Sequence, residues 1–523
     1  MPKPVLMGTL RVLAGLGAAV ATGVCLAQSE YDLTQTHGIH PTGITWRLTD
    51  ETWKLPGGDR VGMVGGNLLF DVNRNFKLGV GSYGALRGNL GGFITLGVAA
   101  ELHERITPSL RGEAGVFVGG GGGHGANALV GGGLMLRGHA GLSYDLGRYG
   151  RVGMGLSHVA FPSGTIRSTQ PYLSYEYSFD SVIGHGWGGA PEGIAASDKK
   201  LLVRQQEFAL VARAYRIPNG VVQIGGAPQH PNMQLIGAEW SSYLDERWFL
   251  KLAADGAMGG QSSGYMQILA GGGYRWPIAR GTAVKLHAAL GPAGGGGVET
   301  GGGLLVSAGL VLQQNISRRN ALEIAVEKIS APGHSFNATS LSLKLSHQFG
   351  LPAANGFASW GELSRFDPQH LRVRFPSQTY FKGSSNWRTG STKNTVGNLG
   401  VQLDYFIPGL SSSANFFLTG QGLAAFSDGA GAYMTGQLGA GAQWPLAARW
   451  FVEGEGLLGA AGGGGLAMGS GLVAQGNASV GYRLSKSLSL MATAGYMKAL
   501  RGDFAATVLG MSLAYQFTAF AEK

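Results

Sequence analysis

The chain of 523 residues contains 92 glycines, about 18% against an average of about 7%. Charged residues make up only 13%, about half the usual ~25%, and the formal net charge is +10. A single cysteine excludes a disulfide scaffold, and 44% hydrophobic residues exclude a disordered chain. Low charge combined with abundant glycine instead predicts a surface that does not face water.

The N-terminus has the layout of a secretory signal peptide. Lys3 and Arg11 precede an apolar run at 12–26, and Ala27 is followed by polar residues. The run is shorter than the ~20 residues that a transmembrane helix needs, so we expect a signal peptide at 1–27 that is cleaved after Ala27. No later segment is apolar enough for a membrane helix, which leaves the periplasm, the exterior or the outer membrane as the expected location.

Three copies of one unit follow. Glycine runs recur at 119–123, 294–297 and 462–465, and a strand ends at Phe179, Phe349 and Phe517, which lie 170 and 168 residues apart. A period near 170 is far longer than that of solenoid repeats. The predicted repeats span 28–180, 206–350 and 371–523, and the predicted linkers span 181–205 and 351–370.

Each repeat predicts eight β-strands. In the first, they lie near 43–53, 61–72, 76–88, 92–103, 110–120, 130–145, 151–161 and 170–179. The eighth alternates clearly: Leu173, Tyr175, Tyr177 and Phe179 share one face, and Tyr172, Ser174, Glu176 and Ser178 share the other. Such lengths and alternation are typical of strands that cross a membrane, with the apolar face toward lipid. A soluble sandwich with the apolar face in its core remains open.

Connection lengths favour the membrane interpretation. The turns after the second, fourth and sixth strands are short and rich in arginine, as in DVNRN and NISRRN. The connections after the first and seventh strands are longer, as in NGVVQIGGAPQHPN and AFPSGTIRSTQ. Short turns at one end and long loops at the other are the pattern of transmembrane barrels, whose short turns are periplasmic.

With the signal peptide, the alternation and the aromatic-terminated strands, the chain resembles the class of Gram-negative outer-membrane β-barrels. The resemblance implies an outer-membrane location, and outer-membrane lipid, lipopolysaccharide and the barrel-assembly machinery as partners. Barrels of this class commonly end on an aromatic residue, whereas here Phe520 is followed by Ala521, Glu522 and Lys523.

Three repeats of eight strands predict an all-β, antiparallel transmembrane barrel of about 24 strands. A narrow barrel must fill its interior with side chains. The inward positions look largely like Gly, Ser and Ala, so the sequence favours one large barrel over three small barrels. A soluble β-protein is the third alternative.

The sequence predicts no catalytic, cofactor-binding or metal-binding residues. The G-x-G-x-x-G match at Gly79–Gly84 lies in a predicted strand with no helix after it, which argues against a dinucleotide site. His158 lacks the serine two residues later that lipid A deacylase barrels carry, so a lipid A acyl-chain hydrolase is only a distant alternative. Ser157 and His158 are adjacent in a strand and face opposite sides.

The predicted function is therefore a passive pore or an export conduit for solutes or a secreted polymer, and not an enzyme. The alternative is a structural barrel that seats a surface fibre or an envelope complex. Nucleic acid is not an expected partner, because the positive charges form no concentrated stripe. The predicted contacts with a plug or partner are the glycines of the three runs: Gly119, Gly120, Gly121, Gly122, Gly123, Gly294, Gly295, Gly296, Gly297, Gly462, Gly463, Gly464 and Gly465.

Overall fold

The computed structural model of the chain describes residues 39–123, 127–186, 202–354 and 366–522. The predicted signal peptide and the central parts of both predicted linkers lie outside these ranges. Within them, the chain forms 24 β-strands, a four-residue helical turn at Asn127–Val130 and a 3₁₀ turn at Gly147–Tyr149. All strand pairings are antiparallel, so the predicted all-β antiparallel class is confirmed.

The first eight strands form barrel 1. They are β1 (Ile39–Lys54), β2 (Arg60–Asp71), β3 (Phe76–Arg87), β4 (Ile94–Arg105), β5 (Leu110–Gly122), β6 (Met135–Asp145), β7 (Arg151–Ala160) and β8 (Arg167–His185). Each strand pairs with its chain neighbour, and β1 also pairs with β8, which closes the sheet. The eight strands predicted for the first repeat are all present, with ends shifted by a few residues.

Barrels 2 and 3 repeat this plan. Barrel 2 consists of β9 (Leu202–Arg216), β10 (Asn232–Tyr243), β11 (Trp248–Ala257), β12 (Met266–Ala279), β13 (Thr282–Gly294), β14 (Leu304–Asn315), β15 (Asn320–Ser330) and β16 (Asn337–Ala354). Barrel 3 consists of β17 (Phe366–Lys382), β18 (Thr395–Phe406), β19 (Asn415–Ala425), β20 (Met434–Pro445), β21 (Trp450–Gly462), β22 (Leu472–Arg483), β23 (Leu488–Ala499) and β24 (Ala505–Glu522). Pairing of β9 with β16 and of β17 with β24 closes them.

The expectation of a single large barrel is therefore wrong. Each repeat closes on itself, because its last strand pairs along its length with its own first strand rather than with the next repeat. Strand pairing between barrels is confined to the ends of their last strands, where β8 makes two backbone pairs with β16 and three with β24. The chain is a group of three eight-stranded barrels.

An apolar cluster closes one end of each barrel's interior. In barrel 1 it contains Trp53, Phe93 and Phe161, which contact one another edge to face near the long loops. Equivalent clusters around Tyr265 in barrel 2 and Trp387 in barrel 3 are also fully buried or nearly so. The end of each barrel at the long loops is thus packed like a protein core.

Candidate functional site

The middle of barrel 1 is filled by a buried network of charges. Arg47, whose side chain is 0% exposed, lies 2.6 Å from Glu113 and 2.5 Å from Glu176. Arg137 lies 3.0 Å from Glu51, again with both side chains buried. Buried charges need partners in the absence of water, and here each arginine has a carboxylate.

Barrel 2 holds an equivalent network built mostly on lysine. The Nζ atom of Lys285 lies 2.6 Å from Glu207 and 2.8 Å from Glu323. Lys251 and Lys344 both approach the Oε2 atom of Glu239, at 3.0 and 2.9 Å. Separate strands of the barrel wall are tied together through these two groups of ion pairs.

Barrel 3 has the smallest network, centred on Arg372 and Arg374. The Nε atom of Arg372 donates to Asp404 at 2.8 Å, and its Nη2 atom donates to Glu453 at 2.8 Å. Arg374 donates to Glu455 at 2.6 Å. All five side chains are at most 3% exposed, so these charges leave little room for water at this level of the lumen.

The lining expected from the sequence is thus corrected. Inward glycines do occur, but they stand beside large inward side chains of other strands. A Cβ on Gly115 would lie 2.5 Å from the ring of His139, and one on Gly481 would lie 2.1 Å from the ring of Phe451. Small and large residues alternate around a filled interior, as narrow barrels require.

The three glycine runs lie where the barrels meet. A Cβ on Gly120 would lie 2.7 Å from the carbonyl oxygen of Ala425 in barrel 3. One on Gly462 would lie 2.1 Å from the backbone nitrogen of Gly264 in barrel 2. One on Gly294 would lie 2.6 Å from the backbone nitrogen of Gly92 in barrel 1. We call these three contacts the glycine seams.

The seams follow a cyclic order. In every repeat the run stands at the end of the fifth strand, and it packs against the end of the third strand, or the loop after it, in another barrel. Barrel 1 thus contacts barrel 3, barrel 3 contacts barrel 2, and barrel 2 contacts barrel 1. Heterologous contacts of this kind generate closed rings, and here the ring closes within one chain.

Not every predicted glycine reaches a neighbouring barrel. A Cβ on Gly122 would lie 2.5 Å from the carbonyl oxygen of Gly431 in barrel 3, whereas one on Gly121 or Gly123 would meet atoms of its own barrel. A Cβ on any of the remaining members would also meet its own barrel, and they are Gly119, Gly295, Gly296, Gly297, Gly463, Gly464 and Gly465. Most of these have a positive φ, which glycine adopts at low cost, so they bend the chain at the seam. Gly295 and Gly463 nevertheless border a neighbouring barrel, because a Cβ on Gly92 would lie 2.3 Å from the nitrogen of Gly295 and one on Gly264 would lie 3.0 Å from that of Gly463.

A cavity of about 780 Å³ lies between the barrels and is lined by all three. Its side-chain lining is mainly apolar, with Leu96 from barrel 1, Ile236 and Ile268 from barrel 2, and Met434 and Leu458 from barrel 3. Members of all three glycine runs complete the lining. We call this space the central cavity. No motif could have revealed it, because it exists only where the outer faces of different repeats meet.

The outer surface is apolar between the two ends of the barrels. Leu156 is 62% exposed and Leu341 is 57% exposed, and both lie on strands whose opposite faces line a lumen. Near the short turns this surface carries exposed tryptophans, including Trp248 and Trp450. Trp248 contacts Tyr274 edge to face with ring centroids 5.0 Å apart.

Arginines of the short turns extend this aromatic surface. Arg247 donates to the hydroxyl of Tyr274 at 2.8 Å. In the same turn the carboxylate of Asp245 accepts the backbone N–H groups of Trp248 and Arg247, both at 2.7 Å, and these hydrogen bonds hold the pKa of Asp245 below its usual range. Exposed aromatic residues beside basic turns are characteristic of a membrane–water interface.

Ser157 and His158, which were weighed as candidate catalytic residues in the sequence, do not come together in the structure. The hydroxyl of Ser157 donates to Glu51 inside barrel 1 at 2.7 Å, whereas His158 is exposed on the outside and contacts Thr169 at 2.8 Å. His103, Glu113 and Glu176 bring atoms of metal-ligand type within 4.8 Å of one another. The guanidinium of Arg47 is already paired with both of these carboxylates.

Comparisons with known proteins give no family. No family model matches the chain, and no curated protein matches it. No helix among the described residues is long and apolar enough to cross a membrane.

Solved structures with distant likeness include three bacterial proteins. A ferric enterobactin receptor mutant from Pseudomonas aeruginosa, in complex with enterobactin, has 12% identity and a TM-score of 0.27 over 92% of this chain and 82% of its own. OpdQ from the same organism has 10% identity and a TM-score of 0.20 over 92% and 98%. A bacterial polysaccharide outer membrane secretin has 7% identity and a TM-score of 0.23 over 90% and 97%. TM-scores this low assign neither a family nor a function.

Proposed function

We propose that this protein is an outer-membrane β-barrel protein with a structural role, in which three closed barrels form a rigid membrane platform that seats an envelope partner. Of the two main functions expected from the sequence, the pore and the structural barrel, the geometry favours the second. The observation that carries the proposal is the filling of each lumen by buried ion pairs, together with an outer surface of exposed apolar side chains.

The outer surface supports the membrane location. The outer faces of the strands carry many large aliphatic side chains that are about half exposed. Contact of so much apolar surface with water is unfavourable, whereas contact with lipid is favourable. Strands of 10 to 19 residues are long enough to cross a bilayer when tilted. We place the short turns, with their tryptophans and arginines, at the periplasmic face and the long loops outside. Lipid and lipopolysaccharide would surround the barrels, and the barrel-assembly machinery would insert them.

The filled lumens support a structural role over a conduit. A solute that passed through barrel 3 would have to displace Arg372 from Glu453 and Asp404 at a level where all three side chains are buried. It would then meet the apolar cluster around Trp387. Removing one partner of a buried ion pair costs about 3–5 kcal/mol, so thermal opening of this route is rare. An exported polymer would meet the same obstacles.

The test is conductance in planar lipid bilayers. We expect the purified full-length protein to insert and stay electrically silent. The triple variant Arg372→Ala/Glu453→Ala/Trp387→Ala, which removes the centre of the smallest network and the largest side chain of the apolar cluster beyond it, should leak more than the wild type and so serves as the positive control. Steady conductance of solute-pore size by the wild-type protein would overturn the structural role and restore the pore.

Orientation and partner contact need a second experiment. Single cysteines in the loop 217–231 and in the turn 316–319 are treated with a membrane-impermeant thiol reagent on intact cells, in a background without Cys25. The loop should be labelled and the turn protected. Cross-linking from the labelled loops should then recover one envelope protein in stoichiometric amount, and the absence of any such protein would contradict the seating role.

A further inference from the structure

The central cavity is a space between the three barrels that their own side chains leave unfilled. Its volume of about 780 Å³ falls in the range of ligand pockets, about 300–1,000 Å³. Protein interiors are close-packed and hold few voids larger than a water molecule. The central cavity is much larger than such voids and is partly open to its surroundings, so a molecule outside the barrels can enter it.

The chemistry of the wall identifies the class of occupant. Strand parity separates the two faces: on β10, Glu239 points into the lumen, so Ile236 and Ala238 point outward to the cavity. Most side chains that line the cavity from such outward positions are apolar, and they include Leu96, Ile236, Ile268, Met434, Leu438 and Leu458. Ser82 is the polar exception among the described residues. Apolar cavities stay dry and bind apolar molecules.

The end of the cavity near the long loops is different. Gly122 and Gly123, Gly295–Gly297 and Gly462–Gly465 line it, and they offer backbone in place of side chains. Backbone N–H groups can donate hydrogen bonds where a side-chain wall of leucine and isoleucine cannot. The carbonyl oxygens of Gly297 and Gly465 already accept from the backbone N–H groups of Ile224 and Thr389. The cavity is thus apolar along its strands and polar at one end, like a single lipid chain with its attached head.

We propose that the central cavity binds an acyl chain of a membrane lipid, with the hydrocarbon along the strands and the polar end at the glycine runs. The proposal rests on the proposed membrane location, because only there is the cavity in contact with lipid chains. A phospholipid and a lipopolysaccharide offer the same chemistry, and the mass of the bound molecule distinguishes them. The bound acyl chain would pack against all three barrels at once.

Gly436 provides the test variant. It lies on β20 at the cavity wall and is exposed, and a Cβ at this position would meet no atom within 4 Å, so a larger side chain there points into open space. The Gly436→Phe variant should therefore fill the cavity. Gly476 on β22 is the matched control, because it is also exposed with no atom within 4 Å and does not line the cavity.

The experiment measures lipid that survives purification. Full-length protein is washed extensively in mild detergent, extracted with organic solvent, and its lipid is quantified by mass spectrometry per mole of protein. We expect about one lipid per chain in the wild type and in Gly476→Phe, and at least a fivefold loss in Gly436→Phe. If Gly436→Phe does not fold, as judged by its β-sheet circular dichroism, Met434→Trp at the same wall replaces it.

Two results would overturn the proposal: a wild-type protein without retained lipid, or equal lipid in Gly436→Phe and Gly476→Phe. Flotation of the same preparations with liposomes measures whether the protein enters a membrane. It therefore separates failure of the cavity proposal from failure of the proposed membrane location. A protein that floats but retains no lipid contradicts the cavity proposal alone. A protein that does not enter liposomes contradicts the membrane location as well.

Discussion

Substitution of Gly462 by alanine should weaken the seam between barrels 3 and 2. The new Cβ would lie 2.1 Å from the backbone nitrogen of Gly264 and 2.4 Å from its Cα atom. Carbon atoms pack best about 3.5–4.0 Å apart, so one backbone must retreat by more than about 1 Å. Both neighbours are backbone atoms and cannot rotate away. Overpacking of this kind costs about 1–3 kcal/mol, which is roughly a tenfold change in an equilibrium constant for each 1.4 kcal/mol.

The assay is the free energy of unfolding in urea, measured by tryptophan fluorescence in phospholipid vesicles. Gly476→Ala is the control, because its Cβ meets no atom within 4 Å and glycine costs about 0.5–1 kcal/mol relative to alanine in a strand. Gly462→Ala should be destabilising and Gly476→Ala neutral or stabilising. Equal effects from the two substitutions would refute the seam, since backbone propensity alone would then explain both.

Three further predictions follow from the same geometry. A Cβ on Gly256 in barrel 2 would lie 2.8 Å from the Cβ of Ala460 in barrel 3, so Gly256→Ala should lower the free energy of unfolding. The reciprocal Gly256→Ala/Ala460→Gly variant should recover it, with a coupling of about 0.5–3 kcal/mol in a double-mutant cycle. Strictly additive effects of the two substitutions would contradict the contact. Arg372→Met should cost about 3–5 kcal/mol because it leaves buried carboxylates unpaired, and Arg372→Met/Glu453→Gln should recover part of that loss in the same urea assay; no recovery would speak against the ion pair. The pKa of Asp245 is lower in the folded protein than its unfolded value of about 3.9. The carboxylate therefore stabilises the turn above pH ~4, and this stabilisation is lost as the pH falls through the lower folded pKa. NMR shifts of the turn amides should titrate below pH ~4, and Asp245→Asn should abolish that titration.

The strands were predictable because their signal is local. Alternation such as Leu173, Tyr175 and Tyr177 against Tyr172 and Ser174 depends only on the two-residue period of a strand. Short turns and long loops were likewise visible along the chain. The approximate position of each strand of the first repeat therefore followed from the sequence, although the exact ends did not.

The closure of each repeat into its own barrel was not predictable, because it depends on which of several distant strands the first strand pairs with. β1 could pair with β8 or with β24, and both choices satisfy the same alternation. The inward charges offered a signal, since Arg372 and Arg374 share one face of β17 and Asp404 on β18 stands ready to pair with them. That signal is ambiguous, because a wide water-filled lumen also accepts charged residues.

The glycine runs were found in the sequence, but their neighbours were not. Nothing local in Gly119–Gly123 indicates that barrel 3 lies against it, since the contact arises from the ring that three barrels form. The central cavity was beyond prediction for the same reason.

The most direct test of the account is an electron-microscopy image of the full-length protein in detergent, viewed along the barrel axes. We expect three small rings of equal size, each with density in its centre, arranged around a common midpoint. A single wide ring with an open centre would contradict it.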